Sequence, residues 1–96
     1  MALPEAQQQA FDQFYDSARN NTVLDEKTTV MIHLASAMAV ACHPCVQHYL
    51  SQAEKVGITE EERGVIQAIV MAVSGGRVMM QFGAARGCVG PEECGA

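Results

Sequence analysis

Two cysteines three residues apart are the residues of this sequence best suited to chemistry. Cys42 and Cys45 lie in the stretch ACHPCVQHYL, residues 41–50, and are followed by His48 and Tyr49. A thiolate is a strong nucleophile, and a neighbouring histidine can take the proton of the thiol. The same CxxC spacing also serves zinc sites. The pair alone therefore leaves three alternatives, which are a redox dithiol, half of a metal site and an ordinary helix start.

The cysteine pair is expected at the beginning of a helix. Pro44 suits a first helical turn and Gly57 suits the position after a last one, so the sequence predicts a helix from His43 to Val56. Unpaired N–H groups and the helix dipole at that end would stabilise a thiolate. Residues three apart on a helix bring their β-carbons to roughly 5–6 Å, close enough for a disulfide. This position favours a redox dithiol over a zinc site.

Histidine and tyrosine side chains could assist Cys45. His48 follows it by three residues and Tyr49 by four, so both can lean toward the sulfur. A histidine has an ordinary pKa of about 6.5, so His48 is the better base, whereas the Tyr49 hydroxyl would donate a hydrogen bond. The alternative for each is simple packing in the core.

The rest of the chain shows helical periodicity and no strand pattern. We predict an all-α fold of about five helices in one domain over residues 1–96, with residues 88–96 as a flexible tail. The predicted helices run from Pro4 to RNN at 19–21, from Glu26 to about Ala41, from His43 to Val56, from TEEE at 59–62 to SGG at 74–76, and through RVMMQFGAAR to Gly87.

The second predicted helix is apolar nearly all the way round, from Val30 to Val40. A chain of 96 residues buries only roughly 60–65% of its unfolded surface, which is too little to cover such a helix on every side. We therefore expect a homo-oligomer that covers the helix between subunits.

The net charge and the residues at the N-terminus predict which classes of partner the protein has and where in the cell it lies. Eleven acidic residues against six scattered basic ones give a net charge of −5, which argues against nucleic acid. The N-terminus has no basic start followed by an apolar stretch, so we expect no secretory signal and a cytoplasmic protein. The longest apolar stretch, Val30 to Cys42, has about 13 residues, fewer than the roughly 18–20 needed to span a bilayer. We expect no membrane partner and no cofactor.

From residue 24 to 79 the chain resembles the carboxymuconolactone decarboxylase family, in its alkylhydroperoxidase-D-like branch. The likeness rests on LDEKT, the CxxC, Ala53, Gly57 and the TEEE helix start. It implies an all-helical trimer or hexamer with alkylhydroperoxidase-like peroxiredoxin activity, a peroxide or disulfide substrate and a thiol or dithiol electron donor. In this branch the second cysteine attacks the peroxide and the first resolves it, which would make Cys45 peroxidatic and Cys42 resolving. The decarboxylase branch lacks the pair.

The chain departs from the proton relay of that branch. The family has a glutamate twelve residues before the first cysteine and a histidine four after the second, and these positions hold Val30 and Tyr49 here. His48 lies beside the lost histidine, and His33 lies one turn from the lost glutamate. The resemblance therefore implies a rewired relay of His33, Tyr49 and His48.

Two other functions stay open. Cys88 and Cys94 flank Gly90 and Pro91, so the chain could curl and bring the two sulfurs together. Joined with Cys42 and Cys45, they could form a metal-binding or redox-sensing module, although the glycine-rich knuckle typical of zinc is missing from the first pair. The third function is a degenerate structural member that keeps the fold without turnover. We expect the redox dithiol and no bound metal.

Overall fold

The computed structural model describes residues 2–87, which form helices and their connections. The helices are α1 (Glu5–Arg19), α2 (Glu26–Ala39), α3 (His43–Lys55) and α4 (Glu60–Ala85). No strand is present in this range, which confirms the all-α fold. The predicted flexible tail, with Cys88 and Cys94, lies outside the described residues.

Side-chain caps fix the starts of α2 and α4 where the sequence predicts them. The Asp25 carboxylate accepts a hydrogen bond from the Thr28 backbone N–H at 2.7 Å, and this bond lowers the pKa of Asp25. Thr59 and Glu62 form a complete capping box, in which each side chain accepts from the backbone N–H of the other residue. These caps fix the first residues of α2 and α4, the helices that precede and follow α3 in the chain.

The prediction of five helices is wrong, because α4 continues through the SGG at which a break was expected. Gly75 and Gly76 both lie inside this 26-residue helix. A glycine costs a helix interior about 1 kcal/mol but ends the helix only when it takes a left-handed conformation. Among the described glycines, Gly57 and Gly87 have positive φ, at 78° and 85°, and they follow the ends of α3 and α4. The two predicted final helices are therefore one.

Helix α4 runs without a break over 26 residues. Within residues 2–87 it is the one helix long and apolar enough, by length and composition, to cross a membrane. The expectation that every apolar segment is too short is therefore wrong for this helix. Exposed apolar helices also mark surfaces that bind other proteins. The absence of a membrane partner stays a prediction.

The core forms where α2 packs against α3 and α4. It consists of Val30, Leu34, Tyr49, Ala53, Ile58 and Ile66. Helix α1 buries none of its residues. Apolar side chains on α1 and on the second half of α4 remain exposed, among them Phe11, Phe14, Val73, Val78 and Phe82. Tyr49, one of the predicted site residues, therefore lies in the core, whereas α1 lies outside it.

Candidate dithiol site

Cys42 and Cys45 are joined by a disulfide at the start of α3. Cys42 is the N-cap residue and Cys45 is the third residue of the helix. Their Cα atoms are 5.2 Å apart, inside the usual disulfide range of about 4.4–6.8 Å. Both residues are half-buried. The helix start thus holds the two sulfurs at bonding distance without any long loop between them.

A tight turn between α2 and α3 places Cys42 at this position. The Ala41 N–H donates to the Met38 carbonyl at 3.1 Å, and the Cys42 N–H donates to the Ala37 carbonyl at 3.0 Å. This is the Schellman arrangement, and it ends α2 at Ala39, two residues earlier than the sequence analysis expected. Ala41 has a φ of 56°, a left-handed conformation that costs a residue with a β-carbon roughly 1–2 kcal/mol. Cys42 therefore both closes one helix and opens the next.

The first turn of α3 offers backbone donors to a thiolate. The Cys42 carbonyl accepts the first helical hydrogen bond, from the Val46 N–H at 2.9 Å. The Cys42 side chain makes no capping hydrogen bond, so it accepts a hydrogen bond from none of the first backbone N–H groups of the helix. Once the disulfide is reduced, these groups and the positive end of the helix dipole favour the ionised form of a thiol there.

The Tyr49 ring contacts the rings of the other two predicted relay residues, His33 and His48. The His33 ring stacks on the Tyr49 ring, with centroids 4.6 Å apart and planes 13° from parallel. The His48 ring meets the Tyr49 ring edge-on at 4.8 Å and 79°. Tyr49 is buried and His48 is exposed. The structure therefore gathers His33 and His48 around Tyr49, one turn of α3 beyond Cys45.

The Tyr49 hydroxyl is buried and has no hydrogen-bond partner within residues 2–87. An unsatisfied buried hydroxyl costs roughly 1–3 kcal/mol, so such groups commonly serve a ligand or a reaction. This hydroxyl is a donor without an acceptor among the described residues.

His33 is half-buried and opens onto a pocket of about 350 Å³ whose lining includes Asn21, Ile32 and Ser36. Burial lowers the pKa of His33 below its usual range, and the positive charges of Arg19 and a protonated His48 lower it further. The imidazole is therefore neutral at pH 7 and able to accept a proton.

The helical fold of the chain is similar to that of known proteins. The family model of the carboxymuconolactone decarboxylase family matches residues 5–87. The chain belongs to this family. A solved structure from Methanobacterium thermoautotrophicum is similar at a TM-score of 0.77 and 29% identity, over 86% of this chain and 94% of the other. No curated protein sequence matches the chain. The resemblance seen in the sequence is therefore confirmed at the level of the family.

The two positions at which the resemblance implies a relay glutamate and a relay histidine lie in the core of this chain. Val30 is fully buried and Tyr49 is 3% exposed, and both belong to one cluster. Where the resemblance implies an acid and a base, the core thus contains the valine Val30 and the phenol of Tyr49. His33 lies one turn beyond Val30 on α2 and is the titratable group stacked on Tyr49.

Sequence analysis missed Arg19 at the end of α1. Its Nη2 donates to the Gln52 Oε1 at 3.3 Å and lies 3.8 Å from the Glu26 Oε1. The sequence signal was weak, because an arginine in a last helical turn usually only complements the helix dipole. Glu26, the first residue of α2, is the acidic partner of Arg19.

The metal alternative depends on residues outside the described range. Within residues 2–87 no group of three or more His, Cys, Asp or Glu side chains is placed to hold a metal ion. Cys88 and Cys94 would have to complete such a site. The metal-binding module therefore stays a prediction to be tested on the whole chain.

Proposed function

We propose that the protein is a thiol oxidoreductase that reduces a peroxide, or exchanges disulfides, through Cys45 and Cys42. The observation that carries this proposal is the disulfide between the N-cap and the third residue of α3. A dithiol at a helix start forms a disulfide readily, and its thiolate is stabilised there. Membership in a family that includes CxxC peroxidases supports the same chemistry.

The proposed reaction consumes one peroxide and both thiols. The Cys45 thiolate attacks one peroxide oxygen, so that an S–O bond forms, the O–O bond breaks and an alcohol or water leaves with a proton. The Cys42 thiol then attacks the Cys45 sulfur, forms the S–S bond and releases water. An external dithiol donor returns two electrons by thiol–disulfide exchange.

His33 is the base that the geometry supports best. It is neutral, partly covered and stacked on Tyr49, whereas His48 lies on the exposed side of the same ring. A phenol is a poor base at neutral pH, and the proposed role of the Tyr49 hydroxyl is to donate a hydrogen bond to the thiolate or the peroxide. The proposed relay thus keeps all three residues and gives His33 the role that the sequence analysis favoured for His48.

Exposed apolar surface supports a homo-oligomer as the working form. Phe11 and Phe14 on α1 and Val73, Val78 and Phe82 on α4 are each more than half exposed. Surfaces of this kind bind other protein surfaces in soluble assemblies. We propose a trimer or hexamer in the cytoplasm, where a dithiol donor is available.

Separate cysteine variants test the proposed function. Cys45→Ser should abolish peroxide consumption because no nucleophile remains. Cys42→Ser should still react once, leaving a sulfenic acid on Cys45 that a dimedone probe traps. Equal rates for the wild type and Cys45→Ser would rule out this reaction.

The other cysteine pair supplies the matched control. A Cys88→Ser/Cys94→Ser double variant removes two thiols but should keep peroxide reduction if the dithiol acts alone. If activity needs both pairs and purified wild type carries stoichiometric zinc or iron, the metal-binding module replaces the proposal.

A further inference from the structure

Helix α1 meets the candidate site through its last turn. The Tyr15 ring lies 5.9 Å from the His33 ring at an angle of 47°. Arg19 follows Tyr15 by four residues and so lies on the same face of α1. The Arg19 side chain is 15% exposed, although the residues before it on this helix are all exposed. The covered end of an otherwise exposed helix therefore lies beside the His33–Tyr49 pair.

Arg19 is anchored to both helices that carry the stacked pair. Gln52 on α3 accepts its hydrogen bond and lies three residues after Tyr49, while Glu26 on α2 lies two helical turns before His33. Gln52 therefore shares a face of α3 with Tyr49, and Glu26 shares a face of α2 with His33. The guanidinium is thus held between α2 and α3 on the side of the two rings.

We propose that Arg19 is a positioning residue for the dithiol reaction, holding the last turn of α1 against His33 and keeping this imidazole available to accept the Cys45 proton. The inference rests on the proposed function, because it assigns Arg19 a part in that same proton transfer. Arg19 would act through His33 and would not touch the substrate.

Several groups face His33, and Arg19 is the one whose charge is constant. Tyr15 and Arg19 approach from α1, and His48 and Tyr49 approach from α3. A tyrosine side chain carries no positive charge in either protonation state, and a histidine carries one only when its imidazole is protonated. Glu26, on the same helix as His33, is drawn to Arg19. The guanidinium stays positive throughout and so opposes protonation of His33 at every pH of interest.

Two pH titrations on Arg19→Gln test this role. The first follows the imidazole resonances of His33 by NMR, and the second follows alkylation of Cys45 in the reduced protein, resolved by peptide mass. Losing the positive charge should raise the pKa of His33 and move the lower limb of the alkylation profile to higher pH by the same amount. Arg77→Gln, which removes an exposed arginine in the second half of α4, should move neither.

Two further variants keep the test decisive if Arg19→Gln folds poorly. Arg19→Lys retains a positive charge and should retain most of the effect on His33. Gln52→Leu keeps Arg19 but removes its anchor, so both titration midpoints should move upward by less than in Arg19→Gln. A purely structural role would lower the melting temperature and leave both midpoints in place.

The outcomes separate this inference from the function on which it rests. If wild type reduces peroxide through Cys45 but the alkylation profile of Arg19→Gln is unchanged, the role of Arg19 is overturned and the function stands. An unchanged His33 titration in Arg19→Gln overturns it as well. If both midpoints move upward together but the wild type neither reduces peroxides nor exchanges disulfides, the coupling to Cys45 stands and the proposed function fails.

Discussion

The imidazole of His33 stacks on the phenol ring of Tyr49, with ring centroids 4.6 Å apart. One ring comes from α2 and the other from α3, so the contact joins the two helices beside the cysteine turn. Tyr49 and Val30 occupy the positions at which the resemblance implies a histidine and a glutamate. The stack brings a titratable nitrogen to a site from which the expected base is missing.

Replacing His33 should slow the reaction of Cys45. His33→Phe keeps an aromatic ring against Tyr49 and removes the proton acceptor. We expect the rate of thiolate formation near pH 7 to fall by roughly the 10²–10⁴-fold typical of a lost general base. Stopped-flow alkylation of the reduced protein measures this rate.

His48→Phe is the matched control, because His48 touches the same tyrosine from the exposed side. Its effect should be smaller than that of His33→Phe. The reverse order of effects would show that His48 is the base, as the sequence alone suggested.

Acid should destabilise the fold partly through His33. Its pKa is lower in the folded state than in the unfolded chain, so unfolding takes up a proton as the pH falls. The stability contributed by neutral His33 is complete above the unfolded pKa of about 6.5. It is lost as the pH falls from there toward the folded pKa. Melting temperatures of wild type should therefore decline over this window more steeply than those of His33→Phe, and parallel curves would contradict this reading.

Ala41→Gly should stabilise the protein. Ala41 holds a left-handed conformation at the end of α2, and a glycine there has no β-carbon to strain. The gain should be up to about 1 kcal/mol in the free energy of unfolding, after the greater freedom of glycine in the unfolded chain is subtracted. Ala39→Gly, inside the last turn of α2, should instead cost up to about 1 kcal/mol. Urea titration of the two variants tells them apart, and a loss of stability in both would mean that the turn is not strained.

A charge placed on the exposed face of α1 should dissociate the proposed oligomer. Phe14 is 71% exposed, so Phe14→Glu should leave the fold of one chain intact while preventing α1 from packing on another copy. Val23→Glu changes a residue that is 88% exposed in the connection after α1 and serves as the control. Sedimentation at micromolar concentration reports the mass. A wild type that sediments as a folded monomer of 10.3 kDa would contradict the assembly.

Local signals in the sequence predicted most of the helix boundaries. Asp25, Thr59 and Glu62 cap the helices whose starts the sequence predicted at Glu26 and TEEE, and such starts are predictable because capping depends on residues within one turn. Gly75 and Gly76 led to the wrong prediction of a helix end, because that prediction also used only neighbouring residues. A glycine permits a helix to end but does not require it, and the helix continues where the flanking residues favour it.

The geometry of the site depended on contacts that no local pattern encodes. Spacing along α3 placed His48 and Tyr49 on either side of Cys45, but only the packing of α2 shows that Tyr49 is the buried one and that His33 covers it. Arg19 was missed because its partners, Gln52 and Glu26, come from two other helices. Ala41 was missed because glycine is the usual residue in that conformation.

Disulfide mapping of the native protein before and after mild oxidation tests the central claim most directly. The reduced protein is treated with one equivalent of peroxide, alkylated, digested and analysed by mass. A redox dithiol predicts a Cys42–Cys45 disulfide that forms with peroxide and disappears when a dithiol is added. Free thiols at both positions after peroxide treatment would contradict the account.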